Sequence, residues 1–146
     1  MQRPLSYLAD SPLLMMIGDE RQATSGCRSP NAGVGGVISE LTERLRKFRD
    51  ERDWGQFHTP KDLAISVSVE ASELLEIFQW NPADQVLDKH ERRAAEDEIA
   101  DVFIYLLMLA DRLGVDVVAA AHRKVEANEL RFPLAKSRGI AKPSKE

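Results

Sequence analysis

Apolar side chains repeat at helical spacing along most of the chain. The first series predicts a helix that begins near Ser39 and stops in the segment 53–55. The second predicted helix has Thr59 as its N-cap, a proline at its first position and Asp62 in its first turn, and it stops before residue 81. The apolar positions of these two helices are Ile38, Leu41, Leu45 and Phe48, then Leu63, Val67, Leu74, Ile77 and Phe78.

Two more helices follow by the same criteria. One is predicted from about Lys89 to Leu113, and Gly114 is placed to end it as a C-cap. Asp116 can cap a fourth helix, which should stop near Phe132-Pro133. Because no segment alternates convincingly as a strand, the sequence predicts an all-α fold, an antiparallel four-helix bundle with short joints.

The two ends of the chain differ from this helical part. Residues 1–37 are rich in glycine, proline and serine and have no sustained helical period, which predicts a flexible, poorly structured leader. Residues 136–146 are basic and polar, and we expect a flexible tail there. The predicted organisation is therefore a leader (1–37), a helical catalytic domain (38–135) and a tail (136–146).

Composition restricts the class of partner. The chain has 146 residues, of which 43% are hydrophobic and 30% charged, as is ordinary for one soluble domain. Its formal net charge of -4 argues against a nucleic-acid partner. No apolar run approaches the roughly 20 residues that cross a bilayer. The single cysteine, Cys27, excludes an internal disulfide, and together these features favour a cytoplasmic protein without a membrane partner.

Carboxylates interrupt the apolar faces of the second and third predicted helices. Glu70 and Glu73 stand three residues apart, and Glu98 and Asp101 repeat this spacing, so each pair projects from nearly one side of its helix. Like charges beside a core are costly unless a cation offsets them. Neither pair has a histidine at ligand spacing, and a site made of oxygen ligands suits Mg²⁺, with Mn²⁺ as a substitute.

An alternative interpretation places these acids on solvated helix faces, where most charged residues lie. Two matching pairs within apolar sequence favour a site over that alternative. Trp54 and Trp80 could be packing residues, His58 could be a hydrogen bonder at a helix start, and Tyr105 could pack with its hydroxyl satisfied. The residue types alone leave those alternatives open.

Four segments taken together resemble one enzyme family. They read RDWGQFHTPKDL at 52–63, EASELLEIFQW at 70–80, EIADVFIYL at 98–106 and KVEANELRFP at 124–133. This series is similar to the MazG-like all-α nucleoside triphosphate pyrophosphohydrolases, and within them most similar to the dCTP pyrophosphatase branch. The resemblance extends from about Ile38 to Gly139.

The resemblance implies roles for particular residues. It implies Mg²⁺ ligation and catalysis by Glu70, Glu73, Glu98 and Asp101. It also implies that the substrate is bound by Trp54 and Trp80 on either side of the base, by Lys124 and Asn128 at the triphosphate, and by His58 and Tyr105 near the pocket. Family members are typically dimers or tetramers, so a homodimer or homotetramer is expected. Leu45 departs from the pattern, because the animal dCTP enzymes carry a histidine near the base at this position.

The predicted function is Mg²⁺-dependent hydrolysis of a nucleoside triphosphate to the monophosphate and pyrophosphate, in cleaning of the nucleotide pool. dCTP or a modified pyrimidine deoxynucleotide is the first choice of substrate, and a narrower role in dUTP or dCTP supply is the second. A different class of function is a non-catalytic helical oligomer that binds a nucleotide or a protein. The four intact acids favour an enzyme over that class.

Overall fold

The computed structural model describes residues 34–82 and 84–140. All regular elements within these ranges are helical, which confirms the predicted all-α fold with four main helices. The elements are α1 (Val34–Asp50), a short 3-10 helix (Trp54–Gln56), α2 (Pro60–Phe78), α3 (Lys89–Leu113), α4 (Val117–Arg131) and α5 (Leu134–Ser137).

Local capping explains most of these boundaries. The Thr59 hydroxyl accepts a hydrogen bond from the Asp62 backbone N–H at 3.2 Å, as the sequence predicts for the start of α2. Asp88 and Glu91 form a capping box at the start of α3. Gly114 ends α3 in the left-handed conformation at φ 63°, and the Asp116 carboxylate then caps α4.

The chain ends differ in part from the predicted boundaries. Helix α1 begins at Val34, within the segment 1–37 that was predicted to be a leader, and the rest of that segment lies outside the described residues. Similarly, α5 includes the first residues of the predicted tail, and 141–146 lie outside the description. The low helix propensity of the glycines at positions 35 and 36 therefore does not prevent a helix there.

The tightest packing is between α2 and α3, which run antiparallel. Ser66, in the second turn of α2, lies beside Tyr105 of α3. Glu73, two turns later on α2, lies beside Glu98, which is two turns earlier on α3. Between α1 and α3, the Nε of Arg46 donates to both carboxylate oxygens of Asp111 at 3.0 and 3.1 Å. The buried apolar side chains of the described residues are Leu63, Ala95, Tyr105 and Leu107.

Much apolar surface stays exposed in a single chain. Helix α4 packs only sparsely on the other described helices, and its Leu130 side chain is 85% exposed. Large exposed apolar residues also lie on each of the other long helices, for example Phe48, Leu75 and Phe103. Exposed patches of this extent are typical of a chain that associates with a partner. Among the described helices, none is long and apolar enough to cross a membrane.

Candidate active site

Three carboxylates from two helices converge between α2 and α3. Glu70, Glu73 and Glu98 each place one carboxylate oxygen within 4.8 Å of the others. The three-residue spacing puts the first two on one face of α2, and antiparallel packing brings the third from α3. The sequence alone suggests this grouping, but only the register between the helices establishes it.

Glu70 lies deepest of the three, with 4% of its surface exposed. Burial is the largest cause, and together with the charges of Asp101, Glu73 and Glu98 it raises the pKa of the Glu70 carboxyl from 4.5 to about 7. A carboxyl at this position is costly to ionise unless a cation accompanies it. The raised pKa of Glu70 therefore reflects its burial first and the neighbouring negative charges second.

The other acids are perturbed in the same direction. Burial is the main cause that raises the pKa of Glu73, Glu98 and Asp101, and neighbouring carboxylates add to it in every case. None of the charges that shift these three groups or Glu70 is basic. Within the described residues, the negative charge of the cluster is thus not offset by a nearby lysine or arginine.

The cluster fits a divalent cation that prefers oxygen ligands. One oxygen of Glu98, Oε2, is buried and has no hydrogen-bond partner among the described residues, although buried polar atoms are normally satisfied. Converging carboxylate oxygens without a nitrogen or sulfur donor suit Mg²⁺ or Mn²⁺ better than Zn²⁺. Asp101 does not belong to the group of three within 4.8 Å, but its charge acts on Glu70, Glu73 and Glu98.

Tyr105 is placed directly beside this cluster. It is buried, and burial together with the charges of Glu70 and Asp101 raises the pKa of its phenol to about 12. Ser66 interacts with the phenol from α2, and the Ser66 hydroxyl itself donates to the Asp62 carbonyl at 3.0 Å. The phenol therefore stays protonated at neutral pH and is available as a neutral hydrogen-bonding group at the edge of the acids.

Trp54 and His58 lie together before the start of α2. Their ring centroids are 6.4 Å apart, and Phe48 of α1 and Trp54 make an edge-to-face contact with centroids 5.6 Å apart. The alternative that His58 hydrogen-bonds at the helix start is not what the structure shows: Thr59 makes the cap, and the buried Nδ1 of His58 has no partner among the described residues. Burial lowers the pKa of His58, the charges of Arg49 and Arg112 lower it further, and the charge of Asp62 opposes them, so the net shift favours the neutral imidazole.

The remaining predicted binding residues lie on other parts of the chain than the acids. Trp80 follows the far end of α2 and is 85% exposed, whereas Trp54 precedes the near end of the same helix. Lys124 and Asn128 lie one turn apart on the sparsely packed α4, the lysine exposed and the asparagine half-buried. The structure therefore places the acids and Tyr105 together, whereas these three residues lie after the end of α2 and on α4.

Sequence reasoning missed the surroundings of Trp54. The Arg52 guanidinium lies over the Phe48 ring, with Cζ 3.8 Å from the centroid, and 5.7 Å from the Trp54 ring. The spacing of Arg52 four residues after Phe48 was a usable signal, because side chains at i and i+4 of a helix are neighbours. Asp53, at φ 52°, adopts a left-handed backbone that no sequence feature demanded.

Comparison with known proteins identifies the family of this chain. A model described as the MazG-like family matches residues 65–146. The chain belongs to the MazG-like family. It is 37% identical over 131 residues to dCTP pyrophosphatase 1 of Bos taurus, covering 86% of this chain and 78% of that protein. To dCTP pyrophosphatase 1 of Rattus norvegicus it is 42% identical over 109 residues, covering 72% and 64%.

A solved structure supports the same MazG-like fold. The crystal structure of a pyrophosphatase from Archaeoglobus fulgidus matches with a TM-score of 0.58 and 44% sequence identity, covering 66% of this chain and 93% of that chain. The MazG-like match itself begins after Trp54 and His58. The match to the rat protein covers 72% of this chain. A match of that length includes both Trp54 and His58 wherever it begins.

Proposed function

We propose that this protein hydrolyses a pyrimidine deoxynucleoside triphosphate, dCTP or a modified form of it, between the α and β phosphates in a Mg²⁺-dependent reaction. The products are the nucleoside monophosphate and pyrophosphate, and the role is cleaning of the nucleotide pool. The enzyme class rests on the relatives: the chain is a nucleotide pyrophosphohydrolase. The metal and the base are the parts that need direct tests.

One observation carries the metal dependence: Glu70, Glu73 and Glu98 converge without any basic side chain of the described residues to offset them. A triphosphate brings about four further negative charges to these acids, and repulsion would exclude it without a cation. Glu70, Glu73, Glu98 and Asp101 would hold Mg²⁺, which supplies Lewis-acid polarisation of a phosphate oxygen and activation of water when bound.

The protein's own side chains account for substrate orientation. The neutral phenol of Tyr105, beside Glu70, can donate a hydrogen bond to a phosphate oxygen or to the attacking water. Lys124 and Asn128, one turn apart on α4, present a cation and an amide along one helix face and are suited to hold the outer phosphates. Trp54, half-buried before α2, supplies a ring on which the base stacks.

A second indole at the same base requires a second subunit. Trp54 and Trp80 stand at opposite ends of α2, which has 19 residues and is about 28 Å long, whereas stacked rings lie about 4.5–7 Å apart. The two indoles of one chain thus cannot enclose one base. We propose a homodimer or homotetramer in which Trp80 reaches the neighbour's site, and the exposed apolar surface of α2, α3 and α4 supports this assembly.

Product analysis tests the proposed reaction. The protein is incubated with a panel of canonical and modified nucleoside triphosphates, with Mg²⁺, with Mn²⁺ or with EDTA, and the products are separated. We expect monophosphate and pyrophosphate with Mg²⁺, reduced activity with Mn²⁺ and no activity with EDTA. Release of a diphosphate and inorganic phosphate, or full activity in EDTA, would contradict the proposal. Binding without turnover would identify the non-catalytic alternative.

The cellular location is also a proposal. A chain with one cysteine cannot form an internal disulfide, and an enzyme that acts on free nucleotides meets its substrate in the cytoplasm. We therefore place the protein in the cytoplasm. Fractionation of cells that produce the protein at its natural level would test this.

A further inference from the structure

The Trp54 ring contacts two other aromatic rings, those of Phe48 and His58, and neither is stacked parallel to it. The planes of Phe48 and Trp54 are inclined at 76°, an edge-on contact, and those of Trp54 and His58 at 58°. Trp54 is half-buried, so part of the indole remains open to solvent. Its orientation is therefore restrained by neighbours that leave part of the residue exposed.

The Phe48 ring is itself held by Arg52. The Arg52 guanidinium lies 3.8 Å above this ring, a close cation–π contact, and its Nη1 donates to the Phe48 carbonyl at 3.1 Å. The same guanidinium is 5.7 Å from the Trp54 ring, still within cation–π range. One side chain thus touches both the backbone and the ring of Phe48 and also reaches Trp54.

The backbone between these residues is fixed as well. Asp53 turns the chain in the left-handed region at φ 52°, a conformation that aspartate tolerates better than most residues. The Gln56 side-chain amide donates to the Asp53 carbonyl at 3.0 Å and to its carboxylate at 3.1 Å. The turn that presents Trp54 is therefore restrained at its backbone, and the ring is restrained by Phe48 and Arg52.

We propose that Arg52 is a positioning residue for the base: by clamping Phe48 against Trp54 it holds the indole in the orientation that stacks on the nucleobase. This inference rests on the proposed function, because it assigns Arg52 a part in substrate affinity and no part in the chemical step. A surface ion pair does not explain the geometry of these contacts. The nearest carboxylate oxygen, on Glu51, is 3.9 Å away and both side chains are exposed, so that pair contributes little.

Steady-state kinetics test the proposal with two variants. Arg52→Met removes the cation and the planar group while retaining a long side chain, and Arg52→Lys retains the cation alone. We expect Arg52→Met to raise KM for the preferred nucleotide about 2- to 5-fold with kcat little changed, as an exposed cation–π contact predicts. Arg52→Lys should recover part of this affinity. The inhibition constant of inorganic triphosphate, which has no base, should stay unchanged.

Two outcomes overturn the proposal. If Arg52→Met weakens inorganic triphosphate as much as the nucleotide, Arg52 binds phosphate directly. If the KM for the nucleotide does not change, Arg52 has no role at the site. Arg44→Met, which alters an exposed arginine on α1, is the matched control and should leave both constants unaltered.

A spectroscopic measurement separates this proposal from the proposed function. In a Trp80→Phe background, Trp54 is the only tryptophan, and its quenching by acrylamide reports how firmly the indole is held. We expect Arg52→Met to increase the quenching constant and Arg44→Met to leave it unchanged. An equal constant in Arg52→Met and its parent overturns the positioning role. If the wild-type protein hydrolyses no triphosphate, the proposed function fails, but this measurement still decides whether Arg52 holds Trp54.

Discussion

Glu73 of α2 and Glu98 of α3 place carboxylate oxygens within 4.8 Å of each other, and each charge raises the free energy of ionising the cluster that they share. Such an arrangement is unfavourable for stability in the absence of a cation. Functional residues often lower the stability of a protein at such places. Removing one of these acids should therefore leave the stability of the metal-free protein unchanged or increase it.

Changing Glu73 or Glu98 to alanine should abolish turnover and leave the fold intact. Each substitution removes a repelling charge, so the melting temperature in EDTA should stay level or rise, whereas the stabilisation by added Mg²⁺ should be lost. Glu96 is an exposed acid on α3, the helix that carries Glu98. Its variant Glu96→Ala is the control and should remain active. Activity near wild type in Glu73→Ala or Glu98→Ala would show that the residue is not a ligand.

Glu70 should make metal-free stability depend on pH. Because its pKa is raised from 4.5 to about 7, the unfolded chain releases this proton at lower pH than the folded chain does. The free energy of unfolding should therefore fall as pH rises from about 4.5 to about 7, and it should stay low above that range. His58, whose pKa is lowered, acts in the opposite direction below its ordinary value of 6.5.

Comparison with Glu70→Gln isolates this effect. The difference in free energy of unfolding between wild type and variant should change by on the order of 3 kcal/mol between pH 4.5 and pH 7.5 in EDTA. Urea unfolding at the two pH values measures it. An equal difference at both values would mean that the Glu70 pKa is not raised, and excess Mg²⁺ should reduce the effect.

The two indoles should both contribute to base binding. Trp54→Ala or Trp80→Ala should raise KM by roughly 5- to 150-fold, the equivalent of losing one base stack, with a smaller effect on kcat. If the site is shared between subunits, unfolding and refolding an equal mixture of the two variants should restore wild-type KM at about a quarter of the sites of a dimer. No recovery in the mixture would show that the two indoles do not share one base between subunits.

The assembly itself can be measured directly. Light scattering at micromolar concentration should report a dimer or a tetramer, because the apolar faces of α2, α3 and α4 are exposed in one chain. A fully active monomer would exclude the shared site. In that case Trp80 would be a surface residue without contact to the base.

Gly114 should contribute to stability through its backbone conformation alone. An added Cβ meets no atom within 4 Å, so Gly114→Ala should cost about 1 kcal/mol only because alanine disfavours φ 63°. The melting temperature should fall by about 2–4 °C. Gly114→Asn should cost less, because asparagine tolerates this conformation. Equal melting temperatures for both variants would contradict a backbone origin.

Local sequence determined where most helices begin and end. The bounds of α3 and the Thr59 and Asp116 caps follow from side chains that bond to nearby backbone, and such contacts depend on neighbours along the chain. The Glu70–Glu73 and Glu98–Asp101 spacings likewise identify a candidate oxygen site, because a helix places residues three apart on one face.

Only the tertiary structure decided how those elements combine. The register between α2 and α3 brings Glu70, Glu73 and Glu98 together and buries Glu70 most deeply. The three-residue spacings within each helix do not determine which acids meet or how deeply each is buried. The burial of His58 Nδ1 and the contact of Arg52 with the Phe48 ring also depend on which side chains pack together. Helical periodicity fixes which residues share a face, whereas the depth of burial and the neighbours of each charge depend on which faces pack together.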